Sequence, residues 1–280
     1  MCKLKLGSPL YINTLPLLFY FPQNNPYFEI IFEVPKKLNQ SLAKGEIHGS
    51  LSSSVFYAKN FRQYLILPDI SISAVGEVKS VILYHKIPLE KLDNKKIGIT
   101  PETESAFNLL RILLEEFIGV KPKYIELSKN WGNLTKEEKK ELSGYLAIGD
   151  EALTLQFNKR NTNKAGLITD LAELWLRYTH LPFVFALFIV RKEIAKKYKK
   201  ELKEFCTHLY YARARSFSDL KELVKKSYLN LPKGFLFNYL THLEYDFSGL
   251  KQRAFITFCE YLLKMKLIKE LPKLRFLEIL

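Results

Sequence analysis

Apolar and polar positions alternate in short blocks through the first seventy residues of the chain. "KLKLGS" (3–8) predicts a strand and "TLPLLFYF" (14–21) the start of a helix. "FEIIFEVP" (28–35) predicts a second strand. "KKLNQSLAKG" (36–45) has helical spacing and stops on Gly45, a residue that readily takes the left-handed conformation in which helices end. "IHGSLSS" (47–53) predicts a strand, "SVFYAKN" (54–60) a helical turn and "YLILPDISI" (64–72) another strand. Strands that alternate with short helices predict βαβ units and a mainly parallel sheet.

The alternation continues. "VGEVKSVILYHK" (75–86) has the pattern of one long strand, and "NKKIGIT" (94–100) of a shorter one. Phe107, Leu110, Leu114 and Phe117 recur at helical spacing in 104–119, which closes on Gly119. A strand "KYIEL" (123–127), a charged helix "TKEEKKEL" (135–142) and a strand "GYLAIGD" (144–150) follow. "LITDLAELWLRYT" (167–179) predicts a helix with Thr169 or Asp170 as its cap, and "PFVFALFIV" (182–190) a buried strand. After 191 the pattern is helical, near 191–215, 218–228, 232–243 and 249–265. The strands at 75–86 and 182–190 bracket a middle unit and predict two crossings between lobes. The expected division is 1–80 plus 188–280 as one α/β lobe with a helical C-terminal segment, and 81–187 as the other. Such a build makes a hinge and a central cleft, a usual place for a small ligand.

Composition narrows the classes. The 280 residues are 48% apolar, as in a globular chain, and the 20 Phe and 16 Tyr are expected to fill its core. Lys plus Arg exceeds Asp plus Glu by 43 to 29, a net charge of +14. The lysines are interleaved with acids in segments such as "EEKKEL" (137–142) and "RKEIAKKYKKELKEF" (191–205). That is the pattern of solvated helix faces, so no nucleic-acid partner is expected. Cys2, Cys206 and Cys259 form no C-x-x-C, and the five histidines lack ligand spacing, so neither a disulfide framework nor a metal site is expected. The apolar run 181–190 is too short to span a bilayer, and no signal-like segment follows Met1. The expectation is a cytoplasmic protein without a membrane partner.

No phosphate-binding glycine loop, dinucleotide fingerprint or nucleophile elbow occurs. What remains is a set of polar residues at strand-to-helix junctions: Asn13-Thr14, Ser52-Ser53-Ser54, Ser80, "TPETES" (100–105) and Gly149-Asp150. Each alone is an ordinary helix cap. Their recurrence in both predicted lobes points to a ligand held at strand ends, where helix N-termini favour carboxylates.

"YINTLPL" (11–17), "GEVKSVILY" (76–84), "LAIGDEAL" (146–153), "WLRYTHLPFVFALF" (175–188) and "YDFSGLKQRAFITFCEYLLKMKLI" (245–268) resemble, in order and spacing, the chorismate dehydratase family of the futalosine route to menaquinone. The resemblance implies a two-lobed, periplasmic-binding-protein-like (type 2) α/β fold. It implies that chorismate loses water to give 3-[(1-carboxyvinyl)oxy]benzoate, without a cofactor. It places the family's functional residues at Asn13 and Ser80. Beside them, Tyr11, Thr14, Ser54, Lys79, Thr103, Ser105 and Asp150 are the substrate-binding candidates. Asn13 and Ser80 are poor bases, so they are expected to orient the substrate. The proton acceptor is then Asp150 or the substrate's own enolpyruvyl carboxylate. Three positions depart from the family pattern: Leu10 replaces a Ser, His48 an Asp, and Ser105-Ala106 a Thr-Ser pair. The second choices are the sister 1,4-dihydroxy-6-naphthoate synthase and a non-catalytic solute-binding protein for a small anion.

Overall fold

A computed structural model of the chain describes residues 3–22, 24–100, 104–160 and 166–278. Among the described residues there are eleven strands: β1 Leu4–Ser8, β2 Phe28–Phe32, β3 Gly49–Ser53, β4 Tyr64–Ala74, β5 Val81–His85, β6 Lys96–Ile99, β7 Lys123–Glu126, β8 Gly144–Ile148, β9 Leu167–Asp170, β10 Phe183–Arg191 and β11 Leu243–Glu244. They form one six-stranded sheet, β11-β4-β10-β3-β1-β2, and one five-stranded sheet, β7-β6-β8-β5-β9. The chain divides into two compact units, Met1–Ser73 with Val184–Leu280, and Ala74–Phe183.

In the first unit β1 pairs parallel to both β2 and β3, as βαβ alternation predicts. The helix Pro35–Lys44 connects β2 to β3 and ends on Gly45, whose φ is +80°. It buries Leu38 and Leu42. A Cβ at Gly7 of β1 would lie 2.7 Å from Leu38 and 2.8 Å from Ser50 Oγ, so glycine permits this close approach of helix and sheet. β10 returns antiparallel to β3. The sheets are thus mixed, where mainly parallel ones were expected, because the chain re-enters this sheet after completing the second unit. Aromatic side chains fill the core: Phe21, Phe28, Phe188 and Phe205 pack edge-on or tilted at 5.0–5.7 Å between ring centres.

The helices Lys192–Lys197, Lys199–Ser218, Leu220–Lys225, Lys233–Thr241 and Gly249–Lys264 complete this unit. Residues 275–277 then lie along β4. Ile66 donates its amide to Arg275 O (2.7 Å), and Leu277 donates to Ile66 O (2.8 Å). Tyr57 anchors the same segment by donating its hydroxyl to Lys273 O at 2.8 Å.

In the second unit β6 pairs parallel to β7 and β8, whereas β5 is antiparallel to β8 and β9. Trp175 is fully buried and donates Nε1–H to Pro182 O at 3.0 Å. The helix Glu104–Arg111 continues in wider π-type turns through Ile118 and ends on Gly119 at φ +84°. Thr135 and Glu138 form a reciprocal capping box on the charged helix Lys136–Glu141.

Three local expectations are corrected. The strand pattern 75–86 is interrupted: β4 ends at Ala74, a turn with Gly76 at φ +84° and Lys79 at φ +63° intervenes, and β5 begins at Val81. Residues 167–170 pair with β5 as β9, so the helix starts only at Leu171. β8 ends at Ile148, which puts Asp150 in the first turn of the helix Gly149–Arg160 instead of on the strand. Among the described residues no helix is long and apolar enough to cross a membrane, and no cluster of His, Cys, Asp or Glu could hold a metal. Cys206 and Cys259 are buried free thiols. Surface ion pairs include Lys37–Glu33 and, between distant segments, Lys96–Glu141.

Candidate functional site

In the first unit the parallel strands β1 and β3 end at one sheet edge, which gathers the Asn13 turn and Ser52–Ser54. Beyond β1, Tyr11 is extended and leads into a single 3₁₀ turn, Ile12–Thr14, followed by the short helix Leu15–Leu18 with Pro16 in its first turn. Thr14 is fully buried, and its hydroxyl donates to Pro9 O (3.0 Å) and Tyr11 O (2.8 Å). Thr14 therefore ties the turn to the end of β1.

Asn13 is held through its backbone: its carbonyl accepts from the hydroxyl of Tyr245 at 2.8 Å. Burial pushes that phenol far above its ordinary pKa, so it remains a donor. The side-chain Oδ1 of Asn13 is buried and accepts no hydrogen bond from the described residues. Leaving a buried acceptor unmet costs about 1–3 kcal/mol, so such groups call for a functional explanation. Ser52 Oγ, at the end of β3, is in the same condition. Its neighbour Ser53 caps the helix Ser54–Asn60 by accepting from Phe56 N, and Ser54 is fully buried. His48 precedes β3 at the other end of the strand, where Nδ1 accepts from the amide of Lys5 at 2.8 Å.

In the second unit Ser80 and the Gly149–Asp150 helix start are adjacent. Gly149 donates its amide to Ser80 O at 2.7 Å, and Val81 pairs with Ile148. Ser80 is buried and donates its own amide to Val78 O at 2.7 Å. Lys79 has positive φ, and its amide donates to Asp170 Oδ2 at 2.6 Å. Its ammonium, 3% exposed, lies 3.7 Å from Glu77.

Asp170 caps the helix Leu171–Thr179 with its other oxygen, accepting from Ala172 N (3.0 Å) and Glu173 N (3.1 Å). Burial raises its pKa to about 6, against the pull of the amides of Glu173, Lys79 and Val78. Asp150 stands at the start of its helix, with its carbonyl accepting from Thr154 Oγ1 at 2.8 Å. The next residue, Glu151, has a different task. It accepts from Trp131 N (2.6 Å) and from the hydroxyl of Tyr145 (2.9 Å), and burial raises its pKa.

Because β6 is parallel to β8, the segment after β6 reaches the same edge of this sheet. Ser105 is buried in the first turn of the helix Glu104–Arg111, and Thr103 lies outside the described residues. Each unit thus presents polar groups at its own strand ends. Ser52, Tyr245 and Asp170 were not predicted as site residues. Ser52 lay inside a flagged serine triplet and Asp170 was flagged as a cap, whereas nothing local marks Tyr245 as the partner of Asn13.

Two α/β units, one inserted in the sequence of the other, define a periplasmic-binding-protein-like fold. Solved structures agree. The ligand-binding component of an ABC-type import system from Staphylococcus aureus has a TM-score of 0.68 at 13% identity, covering 99% of this chain and 97% of that one. The alkanesulfonate-binding protein SsuA from Xanthomonas axonopodis, bound to MOPS, has a TM-score of 0.67 at 15% identity, with coverage of 99% and 96%. A protein from Archaeoglobus fulgidus has a TM-score of 0.69 at 15% identity, with coverage of 95% and 98%. Within that class the chain belongs to the menaquinone biosynthesis family, whose model matches residues 4–264. It is 31% identical over 268 residues to a chorismate dehydratase from Thermus thermophilus, covering 89% of this chain and 93% of that protein.

Proposed function

We propose that this protein is a chorismate dehydratase of the futalosine route to menaquinone, a hydro-lyase that forms 3-[(1-carboxyvinyl)oxy]benzoate and water. The likeness to the Thermus enzyme along nearly the whole of both chains is the observation that carries this reading. The unmet Oδ1 of Asn13 supports it, because a substrate hydroxyl supplies the missing donor.

In the reaction the ring carbon bearing the ether oxygen loses its proton, and the neighbouring allylic carbon loses its hydroxyl. The electron pair of the broken C–H bond becomes the last ring double bond. Aromatisation makes the step downhill, so the protein's task is to fix geometry. Asn13 Oδ1 accepts from the allylic hydroxyl and sets the direction of the breaking C–O bond. Ser80 donates its hydroxyl to a substrate oxygen. Tyr11, Ser54, Lys79, Thr103 and Ser105 help bind the two carboxylates, with Thr14 shaping the Asn13 turn. The proton goes to Asp150 or to the substrate's own enolpyruvyl carboxylate. A cytoplasmic location goes with this reading, since two buried free thiols suit a reducing compartment.

Incubating the purified protein with chorismate and following the product by chromatography tests the reading: enolpyruvyl-oxybenzoate appears, and unchanged chorismate would refute it. Asp150→Asn separates the two proton acceptors. Turnover drops by about 100-fold or more if Asp150 is the base, and stays near wild type if the substrate carboxylate takes the proton. The fold also favours a second reading, a non-catalytic receptor for a small anion, which predicts chorismate binding without conversion.

A further inference from the structure

The second unit contains a buried carboxylate whose contacts exceed what a helix cap needs. A cap residue accepts from one or two amides of its own helix. Asp170 does this with Oδ1, through Ala172 N and Glu173 N. Its Oδ2 accepts at 2.6 Å from the amide of Lys79, 91 positions away in the sequence. The amide of Val78 also donates to this carboxylate.

The turn so gripped is conformationally costly. Lys79 has φ +63°, a left-handed conformation that a residue with a Cβ rarely adopts. The next residue is Ser80, whose backbone is fixed on both sides, its amide by Val78 O and its carbonyl by Gly149 N. A residue held in such a conformation persists where its surroundings over-determine it, and sites of function collect such residues.

We propose that Asp170 is the positioning residue for Ser80: by holding the amides of Val78 and Lys79 it keeps the strained turn in the one conformation that presents the Ser80 hydroxyl to substrate. The proposal rests on the dehydratase reading. It adds to that reading a residue that does not touch substrate but sets where a substrate-touching group stands.

Asp170→Asn and Asp170→Ser separate the two duties. Asn and Ser are both good helix caps, so the helix Leu171–Thr179 keeps its start. In Asp170→Asn with its oxygen toward Ala172 and Glu173, an NH₂ faces the Lys79 amide, donor against donor. In Asp170→Ser the side chain is too short to reach it. Both variants are expected to remain folded, judged by circular dichroism and thermal unfolding.

In both, kcat on chorismate should fall by about 100-fold, the scale of a small misplacement near the reacting centre, while KM changes less than threefold. The double variant Ser80→Ala with Asp170→Asn should be no slower than Ser80→Ala alone, because Asp170 acts through Ser80. Amide exchange of Val78, Lys79 and Ser80 should accelerate in Asp170→Asn, a readout that needs no activity.

A kcat within twofold of wild type in the single variants, or losses that multiply in the double variant, overturns the proposal. Absent chorismate turnover in wild type refutes the dehydratase reading instead. Full activity in Ser80→Ala refutes the role of Ser80. Each failure is therefore distinguishable.

Discussion

Asn13 and Ser80 sit in turns built on opposite plans. The Asn13 turn is short and local: Thr14 closes it onto residues three and five positions back, and one long-range bond, from Tyr245, secures its backbone. Its side-chain oxygen accepts no hydrogen bond among the described residues. The Ser80 turn is not locally stable, because it contains a lysine at positive φ. It is held by a buried carboxylate from a distant strand end. One turn spends stability on an unmet acceptor, the other on a strained backbone and a buried charge. Preorganisation is thus reached by two routes, and they should fail in different ways.

The largest expected effect separates them at Asn13. Asn13→Ala removes an acceptor that has no partner among the described residues, so it should cut kcat/KM by about 100-fold, equivalent to about 2.7 kcal/mol of transition-state stabilisation, and leave thermal stability unchanged or slightly raised. A stability loss comparable to the activity loss would show that Asn13 is part of the turn's framework.

A smaller effect sharpens the contrast through pH. The carboxyl of Asp170 feels the charge of Glu77 on the turn and accepts from the backbone amides of Lys79 and Glu173, with His85 joined to the neighbouring Thr169 at 2.9 Å. Its pKa is raised from 3.8 to about 6. The folded state therefore binds this proton more tightly than the unfolded chain does. The stability it confers is complete below pH 3.8 and is lost as pH rises through about 6. Activity should move the other way, since protonation weakens the grip on Lys79. Expected is a fall in kcat of about fivefold between pH 6 and pH 5. Asp170→Asn should lack this limb, and its melting temperature should rise less steeply on acidification. A limb that persists in Asp170→Asn would assign it to another group.

The smallest effect tests the local plan. Thr14→Val keeps shape but loses the hydroxyl, and should lower stability by about 1 kcal/mol, measured by denaturant unfolding. Turnover should drop less than tenfold, because Tyr245 still holds the backbone of Asn13.

Legibility from sequence followed the same divide. The βαβ alternation of the first unit and the Gly45 and Gly119 helix ends are local signals, and each appears where the pattern predicts it. Residues 75–86 look like one strand because Val78, Val81 and Leu83 are all apolar and buried. Periodicity does not register that Gly76 and Lys79 break the backbone there. Residues 167–170 look helical until β5 offers them a strand partner. The bond from Tyr245 to Asn13 spans 232 positions, and no local rule foretells it. Candidate polar residues were legible as junctions; which atoms are satisfied and which are not depends on tertiary neighbours.

The pairing of residues 275–277 with β4 bears on how the chain is made. Synthesis releases the N-terminal end first, and domains tend to fold as they emerge. The second unit is one contiguous stretch, Ala74–Phe183, and has all its strands once that stretch has been released. The first unit has to wait. β4 is made early, yet its partners β10, β11 and the segment at 275–277 come last. During that interval Ile66 and its neighbours present unpaired backbone and apolar side chains, the kind of edge on which chains aggregate. Cutting the chain before Lys273 would make that transient exposure permanent, so soluble yield should register the loss of these few residues before activity does.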